Sequence, residues 1–129
     1  MSENISSLME PQVFCVEMDD TLAEIERLFT SKGLTWAPVL DSGRSVLTVL
    51  GVVSASDLVR VRAQAEDPNS ARAWQLCTYK PISVTADTPI SEVARLMVER
   101  KIHHVVVTKD DGIVGVVSSL DFVRTFVRP

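Results

Sequence analysis

Gly51-Val52-Val53-Ser54-Ala55-Ser56-Asp57-Leu58-Val59-Arg60 returns later in the chain as Gly115-Val116-Val117-Ser118-Ser119-Leu120-Asp121-Phe122-Val123-Arg124, with seven of the ten positions identical. The match continues upstream: Leu8 with Leu76, Val16 with Val84, Asp19 with Asp87, Glu24 with Glu92, Arg27-Leu28 with Arg95-Leu96, and Val39 with Val107. The spacing is 68 residues as far as Val39 and 64 from Gly51 onward, so the first copy holds the longer loop between its paired strands. A chain that carries one unit twice is expected to set the copies face to face around a pseudo-twofold cleft.

The 129 residues amount to one ordinary domain, or two small units that share a core. Either half alone would bury too little surface to be secure, so the copies are expected to need each other. Nearly half of the residues are apolar (46%) and 23% are charged, a globular balance. A net charge of −4 without any basic run argues against a dedicated nucleic-acid binder. Met1-Ser2-Glu3-Asn4 does not begin a signal-peptide pattern. The apolar run from Val46 to Val53 is too short to span a bilayer, so no membrane partner is expected. Cys15 and Cys77 occupy non-equivalent repeat positions and lack metal-type spacing, as expected of free thiols in a reducing cytoplasm.

Periodicity gives each copy the order strand, helix, strand, strand, helix. In the first copy Val13–Val16 reads as a strand, and Leu22, Ile25, Leu28 and Phe29 form the buried stripe of a helix stopped by Gly33. Trp36–Leu40 and Val46–Val53 read as strands around an Asp41-Ser42-Gly43 turn, and a second helix runs from Ser54 toward Ala65. Glu66 to Ser70 is the linker, broken at Asp67-Pro68-Asn69. In the second copy Ile82–Val84 is a strand, and a helix from Thr88 has Pro89 in its first turn and a stripe of Ile90, Val93, Leu96 and Met97. Strands at His103–Val107 and Ile113–Val117 follow around Asp110-Asp111-Gly112, then a helix with Phe122, Val123, Phe126 and Val127. The fold class is α/β (α+β), with repeats at residues 1–66 and 67–129.

This layout, with Gly, Ser and Asp closing each copy in the same pattern, resembles the CBS domain, and two in tandem resemble a Bateman module. The resemblance covers Leu8 to Arg124. It implies an adenosine-containing ligand (AMP, ADP, ATP, S-adenosylmethionine or NADH) in the cleft between copies, sensing rather than catalysis, and a flat homodimer. It also implies that the Asp holds the ribose, that the Ser lies near ribose or phosphate, and that a Thr ahead of the first strand lines the adenine pocket.

Thr78-Tyr79-Lys80-Pro81 fits that Thr-x-x-Pro pattern, whereas its counterpart Glu10-Pro11-Gln12-Val13 departs from it, and Glu10 would repel a phosphate. The favoured ligand set is therefore Ser54, Ser56 and Asp57 with Thr78, Pro81, Ser83 and His103. The twin set is Ser118, Leu120 and Asp121 with Cys15, Thr35 and Trp36. His103 or His104 could reach a phosphate with a pH-dependent charge. Adjacent strand residues point to opposite faces, so the pair is not expected to hold a metal.

Each of these residues also has a plainer role. A Ser with an Asp three residues later caps a helix without any ligand, although an exposed helix start is equally an anion site. Gly51 and Gly115 either admit a ligand or relieve a strand bend. Arg60 and Arg124 either pair with their Asp along the helix or, with Lys80, clamp a phosphate. Trp36 and Trp74 either stack on a base or pack at a subunit contact. No catalytic motif of the Gly-x-Ser-x-Gly, His-Glu-x-x-His or phosphate-loop kind occurs, so no reaction and no required cofactor are expected. The leading expectation is a nucleotide-responsive regulatory module acting through its own dimer or on a partner protein. The alternative is a ligand-independent interaction and dimerisation module.

Overall fold

The computed structural model describes residues 3–41, 48–64, 67, 69–79, 81–110 and 112–127. The chain forms two compact units, Phe14–Pro81 on one side and Met1–Val13 with Ile82–Pro129 on the other. Each unit has its own sheet and its own buried cluster. The class is mixed α and β.

The continuous unit runs β1 (Val16–Glu17), α1 (Leu22–Lys32), β2 (Trp36–Asp41), β3 (Thr48–Ser54), α2 (Ala55–Gln64), α3 (Ala73–Leu76) and β4 (Thr78–Tyr79). Its sheet order is β1-β2-β3-β4, with β1 parallel to β2 and the other neighbours antiparallel. Thr21 starts α1 with a reciprocal cap: its hydroxyl accepts from the Glu24 amide at 3.2 Å, and the Glu24 carboxylate accepts from the Thr21 amide at 3.2 Å. Gly33 ends the helix at φ 64, a left-handed turn that only glycine adopts without cost. Leu22, Ile25 and Phe29 face inward and meet Val16, Val39, Val53 and Leu58.

The second unit repeats this plan with β5 (Ser83–Thr85), α4 (Ile90–Arg100), β6 (His104–Lys109), β7 (Gly112–Ser118) and α5 (Ser119–Arg124). Even the irregularity is duplicated, since the β2–β3 register shifts after Val39 and the β6–β7 register shifts after the equivalent Val107. Val93, Met97, Val105, Val107 and Val117 form its core together with Ile5.

Ile5 shows how the units are assembled. A short 3₁₀ helix at Ile5–Ser7 lies against the second repeat, with the Ile5 amide donating to the Thr88 carbonyl at 2.8 Å and the Ile90 amide to the Glu3 carbonyl at 3.1 Å. Helix α3 does the same for the first repeat: the Ala73 amide donates to the Asp20 carbonyl at 2.9 Å, and the Leu22 amide to the Ala71 carbonyl at 2.9 Å. The segment ahead of each repeat therefore completes the other one. These leading segments fell within no expected element, because helices of three and four residues give too short a period to read.

Several boundaries differ from expectation. The first strand begins only at Val16, where pairing to Val39 starts, not at Val13. Pro89 is the N-cap of α4 and not part of its first turn. The last helix stops at Arg124, and the Thr125 hydroxyl bonds back to the Phe122 carbonyl at 2.6 Å. Phe126 and Val127 accordingly leave the helix, and Phe126 is 90% exposed. Ser42 and Gly43 of the first turn, Glu66 and Pro68 of the linker, and Asp111 of the second turn lie outside the described residues.

Candidate functional site

Both Ser-x-x-Asp motifs sit where a strand hands over to a helix, and both fold into the same hydrogen-bonded ring. At the end of β3 the Asp57 Oδ2 accepts from the Ser54 amide at 2.9 Å and from the Ser54 hydroxyl at 3.0 Å. The Asp57 amide returns a bond to Ser54 Oγ at 3.3 Å, and Ser56 Oγ stands 2.9 Å from Ser54 Oγ. At the end of β7 the Asp121 Oδ2 accepts from the Ser118 amide at 2.8 Å and from its hydroxyl at 3.3 Å. The second oxygen of each carboxylate meets an arginine one turn on: Arg60 lies 3.3 Å from Asp57 Oδ1, and Arg124 lies 2.9 Å from Asp121 Oδ1.

The capping role is thus realised in both copies, and it leaves chemistry to spare. An ionised carboxylate has about four acceptor positions, and the ring with its arginine occupies three. Each Asp side chain is about one-sixth exposed (17% and 16%), while each arginine is 56% exposed. An exposed arginine at this spacing gains only ~0.3–0.5 kcal/mol from its partner. Hydroxyl donors can therefore displace it, and the freed guanidinium can turn to an anion.

At both glycines the chain's own backbone comes close to the strand. A Cβ on Gly51 would collide with the Thr78 carbonyl oxygen, and one on Gly115 would collide with Met9 Sδ and lie 3.0 Å from the Glu10 carbonyl oxygen. Glycine is needed there because the chain's own leading segment crosses the strand. Val52 pairs with Thr78, and Val116 pairs with Glu10 through bonds of 2.8 and 3.0 Å. The upstream match of Leu8 with Leu76 was the available sign of this crossing.

Ser54, Ser56, Asp57, Thr78 and Pro81 belong to one compact unit, together with Cys15, Thr35 and Trp36. Thr35 and Trp36 adjoin Ser54 directly: the Thr35 carbonyl accepts from the Ala55 amide at 2.8 Å, and Trp36 pairs with Ser54. Ser83, His103, His104, Ser118, Leu120 and Asp121 belong to the other unit. There the His103 carbonyl accepts from the Ser119 amide at 2.9 Å, its Nδ1 stands 3.4 Å from Ser119 Oγ, and His104 pairs with Ser118. Burial, then the neighbouring His103, push the His104 pKa down, while Asp121 pulls the other way. Lys80 lies outside the described residues.

Asp121, Arg124, Glu10, Ser7 and Thr125 line a cavity of about 250 Å³ within the second unit. Ser7 and Thr125 carried no sign in the sequence, since no motif includes them. Cys77 has its pKa raised by burial first, with Asp57 adding to it, and Cys15 by burial and then Glu17. Neither thiol is activated as a nucleophile. Among the described residues no group of three or more His, Cys, Asp or Glu is placed to hold a metal ion. Nor is any described helix long and apolar enough to cross a membrane.

The duplicated strand–helix junction defines a class, and comparison gives the family. The sequence model of the CBS domain matches residues 5–64 and 73–128, so the chain belongs to the CBS domain family and carries two CBS domains. YlbB of Bacillus subtilis is 33% identical over 81 residues, covering 63% of this chain and 53% of that protein. The chain spans about half the length of the first curated relatives it matches. The CBS domain pair of MJ0100, solved with 5′-methylthioadenosine and S-adenosyl-L-methionine, superposes with a TM-score of 0.83 at 20% identity, covering 98% of both chains. CBSX2, solved with AMP, gives 0.82 at 22% identity over 97% of both chains. At that identity the likeness is one of fold.

Proposed function

We propose that this CBS pair is a regulatory module that binds an adenosine-containing ligand and passes the change to another protein or to a second copy of itself. The observation that carries this reading is the twice-built carboxylate. Asp57 and Asp121 are each anchored on one oxygen and hold the other behind a displaceable arginine. A ribose offers two hydroxyl donors to such a group, and the arginine it displaces can meet a phosphate. The favoured ligand set is Ser54, Ser56 and Asp57 with Thr78, Pro81, Ser83 and His103, and the twin set is Ser118, Leu120 and Asp121 with Cys15, Thr35 and Trp36; His104 is a further phosphate candidate. The AMP and S-adenosylmethionine complexes of the two fold relatives support the ligand class.

The module works by population shift, because a ligand that prefers one arrangement enriches it. It is a binder and not a catalyst, and it resides in the cytoplasm, consistent with its two free cysteines. Exposed Leu120, Val123 and Phe126 support a homodimer. A second reading, a ligand-independent interaction module, is favoured by the complete caps, which account for both motifs without a ligand.

Thermal shift with millimolar AMP, ADP, ATP, S-adenosylmethionine and NADH separates the two. Ligand at a hundred times its Kd stabilises by about 2.7 kcal/mol, a shift of several degrees. No shift with any of the five supports the interaction module.

A further inference from the structure

We propose that the Asp121 side takes a phosphate-free adenosyl ligand bearing positive charge, as a sulfonium or ammonium group supplies, while phosphorylated ligands go to the Asp57 side. This rests on the ligand reading above and assigns each side its chemistry. The distinguishing residue is Glu10. Its backbone is fixed on β7 by two bonds to Val116, of 2.8 and 3.0 Å, and it lines the 250 Å³ cavity with Asp121 and Arg124. Thr78 holds the equivalent place on β3, opposite Val52.

Arg124 is paired with Asp121, and no described cation pairs with Glu10. The formal charges of Glu10, Asp121 and Arg124 sum to −1, and those of Thr78, Asp57 and Arg60 sum to 0. The flanking sequence widens the contrast: Met9-Glu10-Pro11-Gln12-Val13 carries −1 and Cys77-Thr78-Tyr79-Lys80-Pro81 carries +1. Glu10 is exposed and its Oε1 accepts from the Gln12 amide at 3.0 Å, so its charge stands beside that of Asp121 at a solvent-facing cavity, where the pair repels a phosphate and favours a cationic tail.

The test is calorimetry on the full chain with S-adenosylmethionine, adenosine and AMP, comparing wild type with Glu10→Gln. The substitution keeps the backbone bonds to Val116, and an unchanged melting temperature without ligand shows that the variant is folded. One removed charge a few ångströms away in a wet site corresponds to roughly fivefold in affinity. S-adenosylmethionine should therefore bind roughly fivefold more weakly to the variant, adenosine should hold within about twofold, and AMP should gain a second site per chain. The reciprocal Thr78→Glu should weaken AMP by a similar factor. An S-adenosylmethionine to AMP preference that Glu10→Gln leaves unchanged, or two equal AMP sites in wild type, would overturn the proposal while leaving the ligand reading intact. If none of the three ligands binds, the ligand reading itself fails.

Discussion

Asp57 commits one carboxylate oxygen to its own helix start and offers the other to Arg60. Asp57→Asn keeps an oxygen for the Ser54 amide and removes the charge that a ribose would meet. Hydrogen bonds to charged groups are worth ~1.5–3 kcal/mol, so AMP affinity should fall tenfold or more, and further than for Asp121→Asn. Calorimetry that shows the reverse order would overturn the ranking of the two sides. His104 gives a pH-dependent expectation. Burial holds its folded pKa below the ordinary histidine value of about 6.5. Its contribution to stability is then complete above that value and is lost as pH falls through the folded pKa, because the unfolded chain binds the proton first. NMR should show His104 titrating below 6.5, and a midpoint at or above 6.5 would remove this account.

At the level of elements, the two copies stop their first helices at equivalent places with different residues. Gly33 turns at φ 64 and Lys101 at φ 55. A side chain in this region costs about 1 kcal/mol, so Lys101→Gly should stabilise the protein by up to that amount in urea unfolding. A lower midpoint would mean that the lysine side chain makes a compensating contact. The helical stripes and paired strands were legible from periodicity, because each buries one face against a sheet. Strand β1 was legible only in place, since two paired residues at Val16–Glu17 carry no alternation. The overlong last helix had a similar cause: Phe126 and Val127 have helical spacing from Phe122 and Val123, but no partner surface within the unit covers them.

For the whole molecule, the repeat was the strongest sign, and it gave the family-level architecture. It did not reveal that the segment ahead of each copy completes the other, because that exchange depends on long-range bonds such as Ile5 to Thr88. The consequence can be tested by cutting the chain. Residues 67–129 alone lack the fully buried Ile5 and the Glu10 bonds to Val116, so that fragment should show neither dispersed NMR signals nor cooperative unfolding. Ile5→Ala in the full chain should cost ~2–5 kcal/mol, as other buried truncations do. A fragment that folds cooperatively would show that the exchanged segment is dispensable. The candidate site was legible to the same extent: the motifs marked both carboxylates and the departure at Glu10 marked the side less suited to a phosphate, while only the structure shows that Glu10 shares a cavity with Asp121.

The central claim is that these two carboxylates hold an adenosyl ligand, and native mass spectrometry of the purified protein addresses it most directly. The expected result is an added mass matching an adenosine-containing molecule, either carried through purification or taken up at millimolar concentration, and lost when Asp57 and Asp121 are both replaced by Asn. A chain that stays ligand-free with every adenosyl compound offered, or a bound mass that survives the double replacement, would contradict it.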